Sequence, residues 1–272
     1  MIGVEIAKML RSRRTWTTIL LIDALPTLVA VLLALTDLGP RPGTGPAFLS
    51  AVLTDGTLFP LAALAIVLPL FLPIAVSITA GEAIAGEAQQ GTLRYLLVRP
   101  VGRTQLLVAK LVSVLFFVVL TILVVAVTAY VVGTSLLGQA DVIGGGVTSV
   151  SGSQLTTQEL ALRTLLALGY AMLCMTGVAA IGLFLSTVAD SPLGAALGTL
   201  TVLISSTLLL TLDAAQSLHP YLPTRYWLSF VDLFRDPILW RDVERGALLQ
   251  VVYVAVFLGA AWANFMTKDI TV

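Results

Sequence analysis

The chain has 272 residues, 58% of them hydrophobic and 11% charged, with a mean hydropathy of +1.00. Soluble domains carry about 25% charged residues, so this chain cannot cover a normal water-exposed surface, and an all-α integral membrane protein is the class that remains. Fifteen Lys+Arg balance fifteen Asp+Glu, which removes the basic field that a nucleic-acid binder needs. A single cysteine and a single histidine exclude a disulfide framework or a multi-imidazole metal site within one chain.

Residues 2–14 place Ile2, Ile6, Met9 and Leu10 on one helical face, with Glu5, Lys8 and Arg11 elsewhere. Two readings fit this pattern: a helix lying along the membrane surface, or an orientation signal running straight into the first span. Thr15–Leu35 is the first of six stretches long and apolar enough to cross a bilayer, which takes about 20 residues. It is too long for a signal-peptide core of about 7–15 residues, and Asp23 and Pro26 interrupt it. Asp23 is the one acid within a span. It is read either as part of an aqueous path or as a structural contact.

The second stretch is Leu58–Ile78. Its helix is expected to continue past Glu82 and Glu87 and to stop at Gly91, a residue suited to a helix C-terminus. Thr92 then caps a short helix on which Leu93, Leu96 and Leu97 share a face, and Pro100 ends it. A short helix delimited in this way suits a groove on a soluble partner; a re-entrant hairpin or a plain loop is the bland alternative. The two GxxxxG spacings from Gly81 to Gly91 are not phosphate loops, because Glu87 and Thr92 stand where Lys would be needed.

Val112–Val132 is the third stretch, extended backwards to Leu106. Residues 138–157, rich in Gly, Ser and Thr, read as a flexible outer loop. Leu165–Leu185 and Leu193–Leu212 follow. The latter carries Gly194 and Gly198 in a GxxxG spacing and the hydroxyls of Thr199, Ser205 and Ser206, so it reads as a packed face that also lines a path. Residues 213–247 hold Tyr221, Tyr226, Trp227, Phe230, Phe234 and Trp240, divided by prolines. Short helices dipping into the outer leaflet are expected there. Leu248–Phe265 is the sixth stretch.

Six spans put both termini on one side, and the four basic residues before the first span place that side in the cytoplasm. Trp16 and Trp262 then mark the inner interface, and Tyr130 and Tyr253 the outer one. The whole chain, residues 1–272, reads as a single transmembrane domain, with the lipid bilayer as its first partner. No HExxH or GxSxG occurs, so neither a zinc protease nor a serine hydrolase is supported. His219 reads as a solvated loop residue, and Met172, Cys174 and Met175 as gap-filling side chains.

The run Glu87-x-x-x-Gly91-Thr92-Leu93-x-x-Leu96-Leu97-x-x-Pro100-x-x-Arg103, with Lys110 opening a long apolar helix, resembles the permeases of ABC-2-type transporters. The basic N-terminal stretch, the six-span layout, the aromatic segment before the last span and the Lys268-Asp269 tail extend that resemblance over the whole chain. It implies a permease that works as a dimer, homomeric or paralogous, in the bacterial inner membrane, and that exports its cargo. It also implies a separate cytoplasmic ABC ATPase, which carries the ATP and Mg; this chain itself carries no cofactor and is not an enzyme. The short helix becomes the coupling helix, with Glu87, Gly91, Thr92, Leu93, Arg94 and Arg103 at the ATPase interface, and spans two and five come near the dimer centre. Asp23, Thr199, Ser205 and Ser206 are the candidate path residues, although Asp23 is no part of the family pattern. The rival classes are an ion-coupled carrier, which usually needs several ionisable groups at mid-depth, and a membrane anchor for a soluble complex.

Overall fold

A helix with no charge to place in water and no partner for its backbone except itself is the simplest solution for apolar stretches of this length, and the computed structural model is built almost entirely of such helices. It describes residues 2–35, 56–91, 102–137, 147–149, 151 and 153–267. In chain order these form α1 (Ile2–Arg11), α2 (Arg13–Leu35), a 3-10 turn (Gly56–Leu58), α3 (Phe59–Val67), α4 (Phe71–Gln89), α5 (Arg103–Leu136), α6 (Thr157–Val188), α7 (Pro192–Leu210), three 3-10 turns between residues 213 and 234, and α8 (Trp240–Thr267). Six of these helices, α2 and α4 to α8, are long and apolar enough to cross a membrane. The protein is an all-α integral membrane protein.

The second predicted stretch is not one helix. The apolar run breaks at residues 68–70, Leu-Pro-Leu, and the chain restarts as α4. Two prolines explain the break. Pro69 has no N–H to give to the carbonyl of Ala65, and Pro73 withholds the same bond from the carbonyl of Pro69, which its ring also crowds. Pro60 sits in the first turn of α3, where a missing donor does no harm. With nine residues, α3 is about 13 Å long and cannot cross a bilayer, whereas the 19 residues of α4 reach about 28 Å. The spanning segment is therefore displaced toward Glu87.

The helices pack in two groups. On one side α5 gathers α1, α2 and α3; on the other α6 lies against α4, α7 and α8, and α4 also packs along α7. Contacts of α5 with α4 and α6 join the groups. The core runs through the seam, with Phe59, Leu64, Leu72, Phe117, Ile122 and Met175 all buried. Helix ends follow their sequence signals. Thr156 and Glu159 close a capping box at the start of α6. Ser191 caps α7 ahead of Pro192.

Two segments between the spans differ from expectation. Part of the stretch 138–157 is ordered by a short antiparallel ladder, Val147–Thr148 against Gln154–Leu155, with Ser149 and Ser153 hydrogen-bonded across its turn. In residues 213–239 the rings turn inward: Tyr226, Trp227, Phe230 and Phe234 are buried, while Tyr221 and Trp240 remain exposed. Residues 229–234 of the segment pack on α6 and α8, so it forms a cap on the bundle. Its backbone is fastened by side chains of the bundle. Arg163 donates to the carbonyls of Leu233 (3.2 Å) and Arg235 (2.8 Å), Tyr170 to that of Tyr226 (2.7 Å), and Gln250 to that of Pro223 (2.7 Å). A buried backbone carbonyl outside regular structure needs such donors, and these rings have a protein interior to fill.

Candidate functional site

At the end of the bundle that carries α1, the last turns of α4 stand beside α1, α2 and α5. Two turns into α5, the Lys110 side chain is only 5% exposed. Its ammonium donates to Glu5 of α1 at 2.9 Å and to Glu87 of α4. Lys8, one turn after Glu5, reaches the same Glu87 carboxylate at 3.4 Å. Arg14, in the first turn of α2, pairs with Glu82, one and a half turns before Glu87. Charges are tolerated inside a protein only when they are paired and hydrogen-bonded, so the buried pairs of Lys110 tie α1, α4 and α5 together, and the more exposed Arg14–Glu82 pair adds α2. α1 is thus a separate helix and not a continuation of α2. It breaks from α2 at Ser12 and is pinned to α5 through Glu5.

Between these helices lies a cavity of about 440 Å³. Glu5 and Lys8 of α1, Arg14 and Thr18 of α2, Glu82 and Glu87 of α4, Lys110 and Phe117 of α5, and Pro192 of α7 are among the side chains that line it. The wall is polar near α1 and becomes apolar toward Val114 and Phe117.

The α4 helix ends as its sequence suggests. Gly91 takes φ +68°, the left-handed conformation in which a side chain is strained and glycine is not. Gln90 and Gly91 donate to the carbonyls of Gly86 and Ala88, so the chain leaves the helix in a defined direction. Arg103, the first residue of α5, donates to the carbonyls of Phe265 (3.1 Å) and Met266 (2.9 Å) in the last turn of α8, where helix carbonyls lack internal partners and favour a cation.

Of the expected interface residues, Glu87, Gly91 and Arg103 therefore cluster at one end. Glu87 is turned inward and braces α4, and Arg103 ties α5 to α8. Thr92, Leu93 and Arg94 lie outside the described residues. The expected path residues are not brought together, and none lines the cavity. Asp23 is buried in α2, with the hydroxyl of Thr128 on α5 beside its carboxyl. Thr199 is buried where α7 meets α6 near Gly182. Ser206 bonds Thr224 of the cap at 2.7 Å, and Ser205 faces outward. Sequence reasoning missed Lys8 and Lys110 as partners of Glu87, and Glu5 as the second partner of Lys110. The available signal was Lys110 itself, a lysine carried into an otherwise apolar helix.

A family model described as "ABC-2 family transporter protein" matches residues 1–206. The chain belongs to the ABC-2 transporter family. No curated protein matches it. The matched part of this ABC-2 transporter protein contains α1 to α6, most of α7 and every charged side chain of the cluster; the cap and α8 follow it.

Proposed function

We propose that this chain is the membrane permease of an ATP-driven ABC exporter, moved by ATP hydrolysis on a separate cytoplasmic subunit. The observation that carries the reading is the lever at the α1 end. The last turns of α4 are gripped on one side by Lys110, Lys8 and Arg14 and end in the left-handed Gly91, immediately before the segment 92–100 that the resemblance assigns to ATPase contact. A push on that segment enters α4 directly and reaches α1, α2 and α5 through the ion pairs. In this reading Thr92, Leu93 and Arg94 meet the ATPase, while Glu87 and Arg103 brace the helices behind them. The cavity is then the inward-facing chamber from which cargo is taken. Both termini lie in the cytoplasm, and two permease copies, alike or paralogous, complete the transporter in the cell membrane.

The experiment is co-purification from detergent-solubilised membranes followed by reconstitution. An ATPase subunit in stoichiometric amount, with hydrolysis stimulated by the permease, is the expected result. Solute transport by the purified chain alone, driven by an ion gradient, overturns the reading.

A further inference from the structure

The α4 helix contains a foreign group. Ser186, two residues before the end of α6 and 1% exposed, donates from its hydroxyl to the carbonyl of Gly81 at 2.7 Å. The same oxygen accepts the backbone N–H groups of Ile84 (3.0 Å) and Ala85 (2.9 Å). A serine hydroxyl has one proton to give and two lone pairs to accept with, so Ser186 is fully committed to the backbone of another helix. Gly81 and Ala85 are the two ends of one helical i→i−4 hydrogen bond. The hydroxyl therefore bonds both ends of that rung.

The neighbourhood makes this insertion possible. One turn earlier on α6, a Cβ on Gly182 would lie 2.7 Å from the Cβ of Ala80, and on α4 a Cβ on Gly81 would lie 2.9 Å from the backbone N of Ala196. Small residues thus let α6 and α7 approach α4 closely, and the next small polar side chain on α6 reaches the α4 backbone. Side chains inserted into the helical ladder are among the few established causes of sharp bends.

Packing of α4 on α7 continues past this point at Gly86, which faces Pro192, and ion pairs are added: Glu82 with Arg14 and Glu87 with Lys110 and Lys8, ahead of the terminal Gly91. We infer that Ser186 is a positioning residue: its hydroxyl, set between the Gly81 carbonyl and the Ala85 N–H, is the pivot on which the last turns of α4 swing relative to the rest of that helix, widening and narrowing the cavity. The inference deepens the proposed function, since it rests on the end of α4 being the part that receives force. The swinging arm has about nine residues, so it is about 13 Å long, and a 20° change at its base moves its tip by about 5 Å.

The test uses the full chain in liposomes, with Cys174 replaced by Ala and spin labels on Gln90→Cys and Met266→Cys, both exposed positions. Pulsed electron resonance then gives the label-to-label distance distribution. With Ser186 present, that distribution is expected to be broad or double. Ser186→Ala leaves the Gly81 carbonyl and the Ala85 N–H only helix partners, so it is expected to narrow the distribution and shift its mean by a few ångströms. Ser186→Thr, which keeps the hydroxyl, restores the original width. A distribution unchanged in Ser186→Ala overturns the pivot. If Ser186→Ala does not accumulate, Ser186→Cys, which weakens the bonds at similar volume, serves in the same comparison. No ATPase is needed for this measurement. A Ser186-dependent distance in a chain that recruits no ATPase therefore keeps the pivot and removes the proposed function, whereas an ATPase-coupled chain indifferent to Ser186 does the reverse.

Discussion

Lys110 and Glu87 meet inside the bundle, 23 residues apart in sequence, and the same ammonium also holds Glu5 from the N-terminal helix. One cation thus fastens α1, α4 and α5 at the point where α4 leaves the bundle. Two carboxylates packed around a single buried ammonium make that ammonium hard to remove.

Lys110→Met is expected to be severe. It keeps much of the volume but takes the buried ammonium away from both Glu5 and Glu87, and breaking a buried pair costs about 3–5 kcal/mol. Thermal unfolding of the purified chain in detergent reads this directly. The charge exchange Lys110→Glu with Glu87→Lys is expected to recover part of the loss, and a Lys110→Met protein as stable as the wild type removes the cluster from any bracing role.

Arg14→Gln provides the contrast. Its guanidinium is 64% exposed and the Glu82 side chain 36%, so water screens the pair and the loss in stability stays within about 1 kcal/mol. The expected phenotype is functional: ATP hydrolysis measured with the partner subunit becomes less dependent on cargo, because one of the ties on the α4 arm is released. Equal damage to unfolding temperature from Arg14→Gln and Lys110→Met would contradict the burial argument for both.

The cap offers a third measurement. Arg163 is 7% exposed and gives its Nη1 to two backbone carbonyls; hydrogen bonds from a charged donor are each worth about 1.5–3 kcal/mol. Arg163→Ala is expected to make residues 229–239 accessible to proteases in intact membranes while leaving the α1 end unaltered. Tyr170→Phe, which removes one neutral hydrogen bond to Tyr226, is expected to cost about 1 kcal/mol and to leave the cap protected.

How much of this was legible in the sequence follows from what each force depends on. Six spans could be read because length and hydropathy alone determine them, and Gly91 announced the end of α4 because only glycine suits φ +68°. The break at residues 68–70 had visible signs in Pro69 and Pro73. They did not decide it, because a membrane helix can carry a proline as a kink when neighbouring groups satisfy the freed backbone, and the flanking leucines look alike in and out of a helix. Burial of Tyr226, Trp227, Phe230 and Phe234 was not legible, since a ring that suits lipid suits a protein core equally well. Glu87 was assigned to the ATPase interface by the family resemblance alone. The ion pairs it makes within the chain depend on residues 8 and 110, and long-range pairing leaves no local mark. The same holds for Ser186, whose partners lie about a hundred residues away.

Asp23 supplies the last prediction. Its carboxyl is buried in α2 beside the hydroxyl of Thr128, and its Oδ1 has no hydrogen-bond partner among the described residues. Asp23 takes no part in the cavity. We propose that it serves as a structural contact between α2 and α5. Asn has the same shape and can still bond Thr128, so Asp23→Asn is expected to accumulate normally and to transport at the wild-type rate, while Asp23→Leu, which abandons Thr128, is expected to lower the unfolding temperature. Transport lost in Asp23→Asn at unchanged protein level would place this carboxylate on the route of the cargo, because only the charge has been taken away.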